Sequence, residues 1–328
     1  MENNFIKYED VKSNLIFGNL DRKVPTITFL IPTYKRPVLV LRAVKSILNQ
    51  KTDREYDILV VDNEPERGTE TEDVFRNLCN QHQNIYYYKN EKNIQGYPNW
   101  NRCYELARSK WCCFLMSDDE LKPEYLERVI WAAREYKLDC VHVGSDILDQ
   151  NNKHIIEKNI IERRYLNRSG HVEKIHNSYY LFYATLPPCG MMIRRDLFLK
   201  TGGYNLDFDP PGDFDFDTRA RQICEIGLLW ERLCCTHLEE SASMKEKIIL
   251  DGIIKTNIIK KRILKEYFGW NRFGDVISDI GAFIAIDKNG YTLEQLPELT
   301  VNKNLDRPFL KFLFRVFYRL YRIKQTIL

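Results

Sequence analysis

The sequence of 328 residues has no apolar run of the roughly 18 residues that a membrane-spanning helix needs. It has no C-x-x-C pair and no other cysteine spacing that suits a metal, although it contains nine cysteines. That usage points to a reducing compartment and to thiols that serve as small buried hydrophobes. Residues 1–23 are polar and mixed in charge, unlike a signal peptide. Gly and Pro together number 27, too few for a disordered or collagen-like chain. A net charge of +3 gives no reason to expect nucleic acid as a partner. The expected location is therefore cytoplasmic, either free or lying on the cytoplasmic face of a membrane without crossing it.

Strand and helix signals alternate through the first half. The β-branched run Thr26–Ile31 and the apolar runs Asp57–Val61, Ile85–Tyr88, Trp111–Met116 and Asp139–Val143 read as strands. Helices are expected over Val38–Leu48, Asn99–Arg108 and Pro123–Tyr136, the last with Pro in its first turn. Continuous apolar strands separated by helices imply an α/β fold with a mostly parallel central sheet flanked by helices. Further on, Cys189–Ile193 and Leu228–Cys235 suit strands, with helices over Arg195–Leu199, Asp213–Ile226 and Ser241–Tyr267. The aromatic run Tyr86–Tyr88 suits packing on a strand.

In an open parallel sheet, ligands bind beyond the carboxyl ends of the strands. Those ends carry Pro32-Thr33-Tyr34-Lys35-Arg36, then Asp62-Asn63, then Asn90 with Asn93 and Gly96, then Ser117-Asp118-Asp119-Glu120. One such cluster is an ordinary loop; four in succession point to one polar crevice.

These segments resemble those of the family 2 glycosyltransferases of GT-A fold. The matching stretches are LIPTYKRP (30–37), ILVVDN (58–63), NEKNIQGYPNWNRCYELA (90–107) and FLMSDDELKP (114–123). CGMMIRRDLFLKTGGYN (189–205), PGDFDFDTR (211–219) and HLEESAS (237–243) are similar to the family's later, acceptor-side blocks. The resemblance covers roughly residues 25–245. It implies a GT-A-type catalytic domain there, with 25–120 as the nucleotide-sugar-binding half and 121–245 as the acceptor-side half. Residues 1–24 then form an N-terminal extension, and 246–328 a helical C-terminal extension.

The same resemblance implies an inverting, hexosyltransferase-type enzyme. It would move a sugar from a nucleoside-diphosphate donor, UDP-linked by family frequency, to a hydroxyl of a glycan or lipid-linked acceptor in surface polysaccharide synthesis. Pro32, Thr33, Tyr34, Arg36, Asp62, Asn63, Asn93, Asn99 and Asp118 would bind the donor. Asp118, with His237, would hold Mn²⁺ or Mg²⁺, since hard carboxylate oxygen suits those ions. Asp213 would be the general base, with Asp119 and Asp215 in support.

The chain departs from the family pattern at two places. Met116 stands where the first acid of a D-x-D motif is common, and Gly212 stands where an E-D pair usually has its Glu. Spacing alone leaves Asp213 and Asp217 open as the base, because both fall on one face of a helix. Two alternatives stand beside the transferase. A sugar-nucleotide pyrophosphorylase would want a Gly-rich phosphate loop after the first strand, and PTYKRP has none. A non-catalytic sugar-nucleotide or glycan-binding protein would have no use for a positioned base.

The last 22 residues carry six basic residues and no acid, leaving the remainder net negative. Lys311, Arg315, Arg319 and Arg322 recur at helical spacing among Phe312, Leu313, Val316 and Leu320. Such a basic amphipathic helix suits an anionic membrane surface.

Overall fold

In a computed structural model of the chain, the described residues are 3–149, 169–182, 186–237 and 246–269, together with 275, 277–279, 281, 282, 285, 286, 312 and 316. They divide into two compact units. The first holds residues 1–175, 186–206 and 219–241, and the second holds 176–185, 207–218 and 242–328. The Asn151-Asn152 pair, which suits a hairpin turn, most of the polar stretch 163–170, which reads as a loop, and most of the basic tail lie outside the described residues.

The first unit is built on one sheet. Its strands are β1 (Ser13–Phe17), β2 (Ile27–Thr33), β3 (Tyr56–Asp62), β4 (Ile85–Asn90) and β5 (Trp111–Phe114), then β6 (Glu120–Leu121), β7 (Cys140–Leu148), β8 (Val172–Lys174), β9 (Met191–Arg194) and β10 (Ile226–His237). They lie in the order β1-β4-β3-β2-β5-β9-β7-β10-β6, with β8 against β10. Strands β4, β3, β2 and β5 are mutually parallel, as are β7 and β10. Strand β9 runs against both β5 and β7, so it joins two parallel blocks into one mixed sheet.

Helices α1 (Pro37–Leu48), α2 (Glu70–Gln81), α3 (Gly96–Leu106) and α4 (Tyr125–Glu135) follow β2, β3, β4 and β6. In α1 the apolar residues Val40, Ala43, Val44 and Ile47 recur at helical spacing, and all are fully buried. All seven residues of β2 are buried, as a strand covered on both faces requires. Each fully buried aliphatic side chain removed from water contributes roughly 1.5–3 kcal/mol.

Sequence reasoning overlooks α2, whose start carries a capping box. Thr69 Oγ1 accepts from the Glu72 amide at 3.4 Å, and Glu72 reaches back to the Gly68 amide at 3.1 Å. It also takes Ser13–Phe17 for part of an extension, whereas these residues pair antiparallel with β4 and extend the sheet. The expected helix over Asp213–Ile226 is shorter, ending at Ala220. Residues 226–229 pair with β7 instead, and Gly227 lets that backbone approach Leu138, where a Cβ would sit 2.4 Å from a methyl carbon. Gly190 has φ +74°, and a Cβ there would meet Cys234 Sγ at 2.4 Å, so only glycine fits the entry to β9.

All nine cysteines are free and at least partly buried. The Tyr86–Tyr88 run is buried, and Tyr87 stacks on Phe75 with ring centroids 4.5 Å apart.

In the second unit, a short helix α5 (Tyr179–Phe182) precedes the start of α7 (Gly212–Ala220), and a long helix α8 (Glu246–Phe268) follows; α6 (Arg195–Thr201) belongs to the first unit. Ile253 of α8 packs with Ala282 and Ile286 in a small apolar cluster.

Candidate functional site

The carboxyl ends of β2, β3 and β4 are tied by their own polar side chains. The Asn63 amide donates to Asn93 Oδ1 at 3.0 Å and to the Gln95 carbonyl at 3.1 Å. Its Oδ1 accepts from Asn90 and from the Ile94 amide, both at 2.9 Å. Two donors and two lone pairs exhaust a carboxamide, so Asn63 holds the loop together and a donor contact would require breaking one of these bonds. Asn99 is spent in a similar way, donating to the Val61 carbonyl and accepting from Asn90.

Asp62 is fully buried and accepts from Tyr87 Oη at 2.5 Å, Lys89 Nζ at 3.2 Å and the Glu64 amide at 3.0 Å. The buried Lys89 ammonium compensates its charge, as a buried carboxylate demands. Of the site residues on this edge, Asn93 and Tyr34 are exposed.

Thr33 differs from these. It is 3% exposed, and its hydroxyl has no hydrogen-bond partner among the described residues. A buried hydroxyl left unpaired costs on the order of 1–3 kcal/mol, which a ligand's polar group can relieve. Next to it, Lys35 takes φ +53° without being glycine, and Gln95 takes φ +70° at the start of α3. Such left-handed residues cluster where loops are shaped for ligands.

The acidic cluster lies after β5. Arg36 Nη1 donates to Asp118 Oδ2 at 2.7 Å, and Arg42 Nη2 of α1 donates to the Asp118 carbonyl at 2.6 Å. Burial pushes the Asp119 carboxyl up to about 7, a hydrogen bond with Cys189 pulls it back, and the neighbouring Asp118 charge adds to the rise. Strand β6 pairs Glu120 with Cys235 and Leu121 with Cys234, which brings the end of β10 to this cluster. There His237, 7% exposed, bonds through Nε2 to Glu120 Oε1 at 3.1 Å. The structure thus brings Arg36, Asp118, Asp119 and His237 together with Glu120 of the same strand-end run, and it adds Arg42, which sequence reasoning missed. A basic residue one helical turn past PTYKRP is the only sequence signal for Arg42. Pro32 is buried in β2 beside Val61 of β3.

Among the described residues, no group of three or more His, Cys, Asp or Glu side chains is arranged to hold a metal ion. Asp118 and Asp119 nevertheless offer the carboxylate oxygen that Mg²⁺ and Mn²⁺ take. Mg²⁺ is commonly held by one or two carboxylates, with phosphate oxygens and water completing its shell.

In the second unit, the three acids of α7 are set apart by exposure. Asp215 is fully buried and paired with Arg262 at 2.8 Å, and Asp217 is 2% exposed. Asp213 is half-buried, accepts from the Phe214 amide at 2.7 Å and lines an open cavity.

The family model for glycosyl transferase family 2 matches residues 28–202. The chain belongs to that family. Among curated relatives, the uncharacterized glycosyltransferase MJ1057 of Methanocaldococcus jannaschii is 23% identical over 62% of this chain and 66% of its own. The GalNAc(5)-diNAcBac-PP-undecaprenol beta-1,3-glucosyltransferase of Campylobacter jejuni is 33% identical over 34% of this chain and 36% of its own. Abequosyltransferase RfbV of Salmonella typhimurium is 32% identical over 39% and 40%. The chain therefore spans no more than 66% of the length of these three relatives.

Crystal structures of S. aureus TarS 1–349 superpose with TM-score 0.54 at 14% identity, covering 91% of this chain and 92% of that one. The complex of that protein with UDP-GlcNAc gives 0.56 at 13%, with the same coverage. At this identity the likeness concerns the fold, which is GT-A-type. Among the described residues no helix is long and apolar enough to cross a membrane.

Proposed function

We propose that this family 2 protein transfers a sugar from a UDP-linked donor to a hydroxyl of a glycan or lipid-linked acceptor, with inversion, in the synthesis of surface polysaccharide. The observation that carries the reading is the set of strand ends. An unpaired buried hydroxyl at Thr33 and a carboxylate–guanidinium pair at Asp118–Arg36 stand beyond the carboxyl ends of adjacent parallel strands β2 and β5. Support comes from the family membership, from the UDP-GlcNAc complex of the similar TarS fold, and from the undecaprenol-linked substrate in one relative's name.

In this reading the nucleoside meets Thr33 and the exposed Tyr34 and Asn93. Asp62, Asn63 and Asn99 hold the loops in shape, and Asp62 keeps one lone-pair site for the base or ribose. Arg36 offers its charge to the diphosphate. Asp118, with Asp119 and His237 beside it, would hold Mg²⁺ or Mn²⁺, which as a Lewis acid supplies charge stabilisation to the leaving diphosphate. Asp213 takes the proton of the acceptor hydroxyl as that oxygen bonds to the anomeric carbon. The bond from that carbon to the diphosphate oxygen breaks on the opposite face, and UDP leaves with the electron pair. Exposure favours Asp213 over Asp217 as the base, since Asp213 is half-buried and lines an open cavity whereas Asp217 is 2% exposed.

Incubating the purified chain with a panel of nucleotide sugars, with Mn²⁺ and with excess chelator, tests this. Release of UDP that requires the metal supports it. Release undiminished in chelator would remove the metal, and binding of UDP-sugars with no turnover on any acceptor would favour a non-catalytic binder.

A further inference from the structure

The second unit contains a cavity of about 430 Å³, within the ~300–1,000 Å³ typical of small-molecule sites. One face of α8 forms its long wall. Ile248, Ile249, Gly252, Ile253, Thr256, Asn257 and Lys260 line it in turn, at the i, i+3, i+4 and i+7 spacing of a single helical stripe. From Ile249 to Lys260 that stripe runs for about 16 Å at 1.5 Å per residue. It changes character along its length, from isoleucine through amide and hydroxyl to an ammonium. Ala282 and Ala285 extend the apolar lining, and Asp213 borders the same cavity.

Lys260 is the unusual member. The cations around it on α8 are engaged: Lys255 donates to the Asp209 carbonyl, Lys261 pairs with Asp279 at 2.8 Å, and Arg262 pairs with Asp215 at 2.8 Å. Lys260 is half-buried, and among the described residues no carboxylate or carbonyl bonds it. Burial alone pulls its ammonium down to about 8. A cation held in apolar surroundings without a counter-ion is costly, and the protein gains nothing from it unless an anion arrives.

We infer that this cavity binds the phosphate-bearing lipid of the acceptor, with the phosphate on Lys260 and the hydrocarbon chain along Ile249, Ile253 and Ala282. The inference names the acceptor class for the transfer proposed above and rests on that reading. Charge complementarity selects the phosphate end, and the polarity gradient along α8 sets the direction of the chain. Gly252 keeps the middle of the wall open: a Cβ there meets nothing closer than Pro210 Cγ at 3.6 Å, whereas an aromatic ring would project into the space.

The test is calorimetric titration of the full chain with farnesyl phosphate, farnesol and inorganic phosphate, alongside a UDP titration. Farnesyl phosphate should bind at least tenfold tighter than either farnesol or inorganic phosphate. Lys260→Gln should weaken it at least tenfold while leaving UDP affinity unchanged, and Gly252→Phe should abolish it. Equal affinity of wild type and Lys260→Gln would overturn the inference, as would inorganic phosphate binding as tightly as the lipid. If Gly252→Phe fails to fold, Lys260→Gln decides alone. Failure of the wild type to bind UDP would count against the proposed transfer and not against the cavity, which the farnesyl phosphate titration reads independently.

Discussion

The strand ends of the sheet and the cavity-lining face of α8 dispose of their polar groups in opposite ways. At the strand ends, Asn63, Asn90 and Asn99 satisfy one another and the backbone, Asp62 is taken up by Tyr87, Lys89 and the Glu64 amide, and little beyond the Thr33 hydroxyl is left over among the described residues. On α8, the charges around the cavity are paired, while Lys260, a cation with no partner among the described residues, lines it. The first is a frame that holds its shape before any ligand arrives, which is how a site for a constant ligand such as a nucleotide is built. The second keeps its unmet charge for a ligand. Polar residues in a site therefore divide into those that shape it and those that wait, and the division follows from counting hydrogen bonds.

The largest effect that can break this comparison is at Asp213. Losing a general base costs about 10²–10⁴ in rate, so Asp213→Asn should lose that much turnover at unchanged UDP affinity. Asp217→Asn, at a buried position, should lower stability instead. A dead Asp217→Asn enzyme that is well folded, beside a near-normal Asp213→Asn enzyme, would move the base.

Next in size is the waiting cation. Burial holds the Lys260 ammonium near 8, below its ordinary value of 10.5, so its charge weighs against the folded state below pH 8. The unfolded chain binds more protons between those values, so stability contributed here rises as pH climbs from 8 to 10.5. Lys260→Met should therefore raise the urea midpoint at pH 7, and its advantage over wild type should shrink by pH 10. A destabilised Lys260→Met variant would show that the ammonium has a structural partner.

Thr33→Val should have a smaller effect. Removing an unpaired buried hydroxyl leaves stability unchanged or slightly higher, yet UDP affinity should fall several-fold. Asn63→Ala should do the reverse, losing stability because its partners Asn90, Asn93 and Ile94 are left unpaired. The smallest expected effect concerns residues 307–328, the proposed membrane contact. Their deletion should reduce sedimentation with anionic liposomes and leave UDP binding intact.

Much of the strand-end crevice is legible in the sequence because parallel strands announce their carboxyl ends. PTYKR, VVDN and SDDE each follow a buried apolar run, and the topology then brings them to one edge. What the sequence hides is orientation. Asn63 looks free for a ligand until Asn90, Asn93, Ile94 and Gln95 are seen to take all four of its hydrogen-bonding positions. Strand β1 is hidden because an edge strand of mixed burial has no strong alternation. Helix α2 was legible through Thr69 and Glu72 but has a polar mean composition that masks its apolar stripe. Lys260 sits in a Lys-Lys-Arg run that reads as a solvated helix face, and only the fold separates it, unpaired among the described residues, from its neighbours.

The most direct test of the account is one set of UDP titrations in the presence of Mn²⁺, on wild type, Asp118→Ala and Asp213→Asn. If the strand ends form the donor site and Asp213 acts on the acceptor, Asp118→Ala loses binding and Asp213→Asn keeps it in full. Equal UDP affinity in wild type and Asp118→Ala, or loss of binding in Asp213→Asn, would contradict it.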